Sequence, residues 1–248
     1  SILVEGNSDR NIDVGFLLKK KQVFYFDIVT NKNRAINYLY PHERQSLSAS
    51  YQVKGAPSHK LSRDAAELHF FLKNRSKPFL IFILTHLKSR LDPNGFDPNG
   101  FERRRAELKT LVEIYKELDA QLGSKIPIAV AGDFNGNASL QNTEPEFKPL
   151  YEQTSLKDVC ALAGLSGKDA VTYYQIGRGS PKIEGKQIDY CFLSPQLARH
   201  LDPSSVKVYR YKDKLGQSIA SPTSLDDKMA LPSDHYPLIF VLKDIPMF

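Results

Sequence analysis

Apolar residues in this chain gather in short runs that end in polar residues, and two of those endings carry chemistry. Ile126–Ala131 runs into Gly132-Asp133-Phe134-Asn135, and Ser233-Asp234-His235 runs into Tyr236–Leu242. Runs of this length, bounded by turn residues, predict core strands. The same pattern predicts strands over Ile12–Leu18, Val23–Val29, Phe79–Leu84, Ile188–Leu193 and Val206–Tyr211. Several are apolar on both faces, which requires sheets covered on at least one side by something other than water. Glu102–Leu122 sets Leu108, Leu111, Val112, Tyr115, Leu118 and Leu122 on the stripe of an amphipathic helix. Helices are also predicted over Ser62–Lys73, with Ser62 as N-cap, and over Leu156–Ala163. Strands and helices interleave with no Ser/Gly-rich linker, so residues 1–248 read as one α/β domain with mixed sheets.

One local repeat interrupts this pattern. Asp92-Pro93-Asn94-Gly95-Phe96 is followed at once by Asp97-Pro98-Asn99-Gly100-Phe101. Asp-Pro and Asn-Gly form turns, so the repeat is expected to be a flexible surface insertion after the His86 strand. Phe96 and Phe101 in it are the residues that a membrane would meet.

Composition narrows the partners only a little. The chain has 248 residues, enough for one sizeable core, and no stretch approaches the ~20 apolar residues of a membrane span. A net charge of +6 suits a polyanion, whereas Arg103-Arg104-Arg105 reads as the solvated first turn of a helix. There is no Trp and no interleaved basic–aromatic platform, so sequence-specific base reading is not indicated. Cys160 and Cys191 form neither a disulfide framework nor a zinc pattern, and Cys191 reads as a buried free thiol. His42, His59, His69 and His200 match no motif. Tyr173 and Tyr174 precede the Asp189 strand, where substrate contact and ordinary packing both remain open readings.

The chemistry lies at the strand ends. Cleaving a phosphate ester in water needs an oriented water, neutralisation of the extra charge on the transition state and help for the leaving oxygen. Asp133 and Asn135, two apart in an extended segment, would stand side by side. One would orient water and the other donate to a phosphate oxygen. Asp234 and His235 pair a carboxylate for a hard cation with an imidazole that donates when protonated. His86 follows the Phe79–Leu84 run, and Asp189 opens the strand through Leu193, where it would hold an imidazole in one tautomer. Each feature alone has an ordinary explanation as a turn, a cap or a core histidine. Four apolar strands that each place Asp, Asn or His at one end do not share one.

Gly132-Asp133-Phe134-Asn135, Gln187-Ile188-Asp189-Tyr190 and Ser233-Asp234-His235, in that order, resemble the endonuclease/exonuclease/phosphatase superfamily. That group holds pancreatic-type deoxyribonucleases, abasic-site endonucleases, neutral sphingomyelinases and inositol polyphosphate 5-phosphatases. The resemblance extends to Asn11–Leu17 and Thr85–Ser89 and covers nearly the whole chain. It implies a four-layer α/β sandwich: two mixed, mostly antiparallel sheets face to face, with helices outside and the site at one edge. It implies catalytic roles for His86, Asp133, Asn135, Asp189 and His235, and Asp234 as a ligand of Mg²⁺ or Mn²⁺. Arg10 and Lys88 would be phosphate contacts. Histidine at position 86 resembles the deoxyribonuclease and sphingomyelinase branches more than the abasic-site endonucleases. The resemblance also implies an Asn-ending and a Glu-ending strand ahead of Ile2–Leu18, with that Glu as principal metal ligand. Neither is in this sequence, and the reading is a domain lacking its first strands.

The activity expected is that of a Mg²⁺-dependent, nuclease-type phosphodiesterase acting as a monomer on a phosphate ester such as nucleic acid. The alternatives are a sphingomyelinase-like phospholipid phosphodiesterase that contacts membranes, and a catalytically silent domain that binds a phosphorylated ligand.

Overall fold

A computed structural model describes residues 1–8, 12–40, 43, 59–73, 76–176 and 182–247. Its strands are β1 (Ile2–Val4), β2 (Val14–Phe16), β3 (Tyr25–Val29), β4 (Ala65–Phe71), β5 (Leu80–His86), β6 (Ile128–Asp133), β7 (Lys157–Asp158), β8 (Tyr173–Ile176), β9 (Ile183–Lys186), β10 (Asp189–Leu193), β11 (Leu201–Val208) and β12 (Leu238–Leu242). The α-helices are α1 (Phe101–Gln121), α2 (Lys148–Glu152), α3 (Val159–Leu162), α4 (Pro195–Ala198) and α5 (Leu225–Met229). Arg10, and Asn11 at the head of the strand expected over Ile12–Leu18, lie outside the described residues.

Six strands form the main sheet in the order β3-β4-β5-β6-β10-β7. Its neighbours pair antiparallel except β5 and β6, which run parallel and are joined through α1. A parallel pair needs such a crossover, and the apolar stripe of α1 gives it a place to pack. Leu108, Leu111, Val112, Ile114 and Tyr115 of α1 bury against Ile81, Ile83, Ile128, Val130 and Phe192 of the sheet. Each such aliphatic side chain contributes about 1.5–3 kcal/mol on transfer from water. The opposite face of the sheet presents Leu68, Phe70, Leu80, Ala129, Cys191 and Leu193. A second layer covers it with Ile2 and Phe16 from β1–β2 and Leu201, Val206, Leu238 and Phe240 from β11–β12. Both faces of the main sheet are thus buried, which is why its strands read as continuous apolar runs. Among the described residues the second layer consists of two-stranded pieces, β1–β2, β8–β9 and β11–β12, rather than one continuous sheet.

Three sequence expectations give way here. Ser62–Lys73 is not a helix; most of it is β4, in the interior of the sheet between β3 and β5. Its Ala, Glu and Leu favour helix in isolation, and pairing on both edges overrides that local preference. The tandem repeat is not a loose insertion. Asp92 accepts hydrogen bonds from the backbone N–H groups of Phe96 and Asp97. Asp97 in turn caps α1 by accepting from the N–H groups of Glu102 and Arg103. Arg104, expected on a solvated turn, is 1% exposed and pairs with Glu146 at 2.6 Å while donating to the carbonyls of Lys88 and Asn99.

Candidate active site

Strand register lays out the site. Asp133, the last residue of β6, pairs with His86 at the end of β5 and with Asp189 at the start of β10. In-register neighbours point to the same face of a sheet, so these three side chains form one row across three strand ends. The row lies on the face that looks toward the second layer, continuing the line of Phe82, Ala131 and Cys191. Gly132 makes the close packing feasible. Its φ is +143°, and a Cβ there would sit 1.8 Å from the Thr85 carbonyl oxygen. Behind the row, Glu107 of α1 accepts from the backbone N–H groups of Ser62 and Lys88 and so anchors the segments after β5 and before β4.

His235 joins from the residues just before β12. Its backbone bridges to Tyr173 of β8, and its carbonyl accepts from the Tyr211 hydroxyl at 2.8 Å. Its Nδ1 lies 2.9 and 3.1 Å from the two carboxylate oxygens of Asp189. A carboxylate only accepts, so the proton sits on Nδ1 and Nε2 is the nitrogen left for chemistry. His86 Nε2 stands 3.4 Å from the Asp133 carboxylate. Asn135 is placed by a turn and not by an extended strand: its φ is +53°, its N–H donates to Asp133 at 2.7 Å, and its side-chain amide donates to Asp133 and to the Leu87 carbonyl.

Charge in the cluster is finely set. Burial pushes the Asp133 carboxyl up to about 7, with the neighbouring Asp189 adding to the rise; His235, the Asn135 N–H and Arg63 oppose it. Burial alone would lower His235, but the hydrogen bond and charge of Asp189, with Asp133 and Asp234, outweigh it and raise the imidazole. A site that favours imidazolium beside two carboxyls can donate a proton and bind an anion.

The structure brings together His86, Asp133, Asn135, Asp189 and His235. Asp133, Asp189 and His235 each offer a ligand atom within 4.8 Å of the others, a spacing that could hold a metal ion. Asp234 stands apart: it is 52% exposed and paired with Lys228 at 3.4 Å. Lys88 donates its ammonium to the carbonyls of Ser89 and Leu91 on the wall of a cavity of about 740 Å³ that also takes in Arg63, Tyr40 and Phe96. Arg63 escaped the sequence reading because its segment looked helical. It is buried at the approach to β4 and donates to the Leu87 carbonyl, the same oxygen that Asn135 uses.

No protein-family model and no curated protein matches the sequence. Among solved structures, truncated Caenorhabditis elegans TDP2 is similar at 16% identity and a TM-score of 0.50, over 94% of this chain and 71% of that one. The human nocturnin catalytic domain, with bound sulfate, is similar at 18% identity and a TM-score of 0.46, over 88% of this chain and 60% of that one. Danio rerio TDP2 complexed with a single-strand DNA product is similar at 17% identity and a TM-score of 0.45, over 70% of this chain and 58% of that one. The fold is an α/β sandwich similar to that of the truncated Caenorhabditis elegans TDP2. At this identity the similarity is one of fold.

Proposed function

We propose that this chain is a metal-dependent phosphoesterase of nuclease type that hydrolyses phosphodiester bonds. The observation that carries this reading is the row His86–Asp133–Asp189 with His235 held on Asp189 at 2.9 Å. Asp189 fixes the tautomer of His235 and favours its charged form. His235 then donates from Nε2 to the phosphoryl oxygen on which charge develops. Asp133 accepts a hydrogen bond from the attacking water and orients it. Asn135 holds Asp133 in place, and its amide reaches a phosphate only by releasing Asp133 or the Leu87 carbonyl; His86 supplies a second imidazole on the far side of Asp133. Arg63 adds a fixed positive charge behind the row.

The donor set fits a hard divalent cation. Asp133 and Asp189 would hold it through carboxylate oxygens, the ligands that Mg²⁺ and Mn²⁺ prefer. The high pKa of Asp133 is itself a sign of fit, because a buried carboxyl beside another is relieved by a bound cation. When bound, the ion would supply Lewis acidity and charge neutralisation at the phosphate. Asp234 enters this set only by leaving Lys228.

The test is hydrolysis of bis(p-nitrophenyl) phosphate in Mg²⁺ or Mn²⁺ against EDTA. Turnover should require the metal, and His235→Ala should lower kcat by about 10²–10⁴-fold. Turnover that survives both EDTA and His235→Ala would remove the reading. A stably folded chain with no turnover would favour a silent phosphate-binding domain.

A further inference from the structure

Beside His235 lies a cation that the site described so far does not use. The Lys228 ammonium, on α5, stands 3.9 Å from the centre of the Tyr173 ring. The same ring packs against the His235 imidazole, with centroids 5.1 Å apart and planes tilted by 50°. Tyr173 therefore holds an ammonium and a catalytic imidazole against one aromatic surface. The position is fixed from several directions. Tyr173 bridges His235 through the backbone, Thr172 accepts from the Tyr236 N–H, and Ser224 caps α5 by accepting from the Asp227 N–H. The Asp227 carboxylate turns back to the Thr223 hydroxyl and N–H rather than toward Lys228.

The partner of Lys228 is the exchangeable part. Its side chain is 11% exposed, yet Asp234, its carboxylate partner, is 52% exposed. A carboxylate so open to water holds an ammonium weakly. A phosphate brings more charge and more acceptor oxygens to the same place and can take over from Asp234. The aromatic face matters as much as the charge. A tyrosine ring beside a phosphate site is where a choline-type quaternary ammonium would seat itself by cation–π attraction. Here the protein's own lysine already occupies that ring, and its charge repels a second cation.

We infer that Lys228 is a specificity-determining residue of this site, binding the phosphate that adjoins the one cleaved. The substrate class is then a chain of phosphodiesters of nucleic-acid type and not a choline-bearing lipid. This deepens the phosphoesterase reading and rests on it.

The experiment compares a thymidine trinucleotide, with two phosphates, against the dinucleoside monophosphate, with one, on the whole chain in Mg²⁺. Wild type should prefer the trinucleotide. Lys228→Met should lower the trinucleotide-to-dinucleotide ratio of kcat/KM by about tenfold, through KM, and Lys228→Arg should restore it. The fall of log(kcat/KM) with log salt should become shallower by about 0.7 in Lys228→Met, the share of one single-strand phosphate contact. A ratio and salt slope unmoved by Lys228→Met overturn the inference, as does a loss shared equally by both substrates. Faster turnover of sphingomyelin micelles than of the trinucleotide by wild type also overturns it. Absence of turnover of every substrate sinks the phosphoesterase reading instead. Calorimetric binding of the same two oligonucleotides to wild type and Lys228→Met then decides the role of Lys228 by the same ratio.

Discussion

Asp133 carries its pKa of about 7 into the stability of the fold. The unfolded carboxyl titrates near 3.9, so between about pH 4 and 7 the folded chain binds more protons than the unfolded one. Stability from this group is therefore greatest below about pH 4, falls as pH rises to about 7 and is flat beyond. His235 adds in the same direction at higher pH: its raised pKa stabilises the fold below the unfolded value near 6.5, and that gain is lost as pH rises through the folded value. Asp158, pushed up by burial to about 6, shares the lower window, so the comparison of variant with wild type isolates Asp133. In urea denaturation with EDTA from pH 4 to 7, Asp133→Asn should lose less stability than wild type by roughly 2–4 kcal/mol. Identical slopes would show that Asp133 is not desolvated as described. At this scale the sequence was generous: Asp133, Asn135, Asp189 and His235 stand out because each lies at one end or the other of an apolar run. Arg63 and Lys228 do not stand out, because neither abuts such a run and both meet the site only through tertiary contacts.

Between β5 and β6 there is room for a backbone and nothing more at Gly132. Gly132→Ala would place a methyl inside the Thr85 carbonyl and demand a φ of +143° from a residue that rarely adopts it. Thermal or urea unfolding should show a loss of at least about 3 kcal/mol, or no folded protein at all. A stable Gly132→Ala chain would mean that the two strands can part without cost. α1 offers a different test through Arg104 and Glu146, which are 1% and 2% exposed. Glu146→Gln should cost about 3–5 kcal/mol in unfolding free energy, because it leaves Arg104 charged and buried, and an Arg104→Met, Glu146→Met pair should recover most of it. A double variant as unstable as the single would show that the carbonyl contacts of Arg104, not its charge, are what α1 depends on. α1 and most strands were legible because burial on one or both faces imprints a period on the sequence. β4 was not: Ala65, Ala66, Glu67 and Leu68 carry no strand period of their own and become a strand only between two partners.

Across the whole molecule, what the sequence conveyed was the order of motifs and what it withheld was their register. The resemblance to endonuclease/exonuclease/phosphatase proteins pointed to the sandwich, and the fold agrees. Only the pairing of His86 and Asp189 with Asp133 turns three separate strand ends into one row. The tandem repeat shows the same gap between text and structure. Its two copies read identically, yet the first makes the Asp92 turn and the second caps α1 through Asp97. Deleting either copy therefore yields one and the same polypeptide, five residues shorter. That shorter chain has a single Asp-Pro-Asn-Gly-Phe to serve two jobs. The Asn99 and Gly100 carbonyls are claimed by Arg104, so the surviving copy is drawn to the helix start and the Asp92 turn is forfeited. A slip that removes one copy would thus redraw the rim of the cavity beside Arg63 and Lys88.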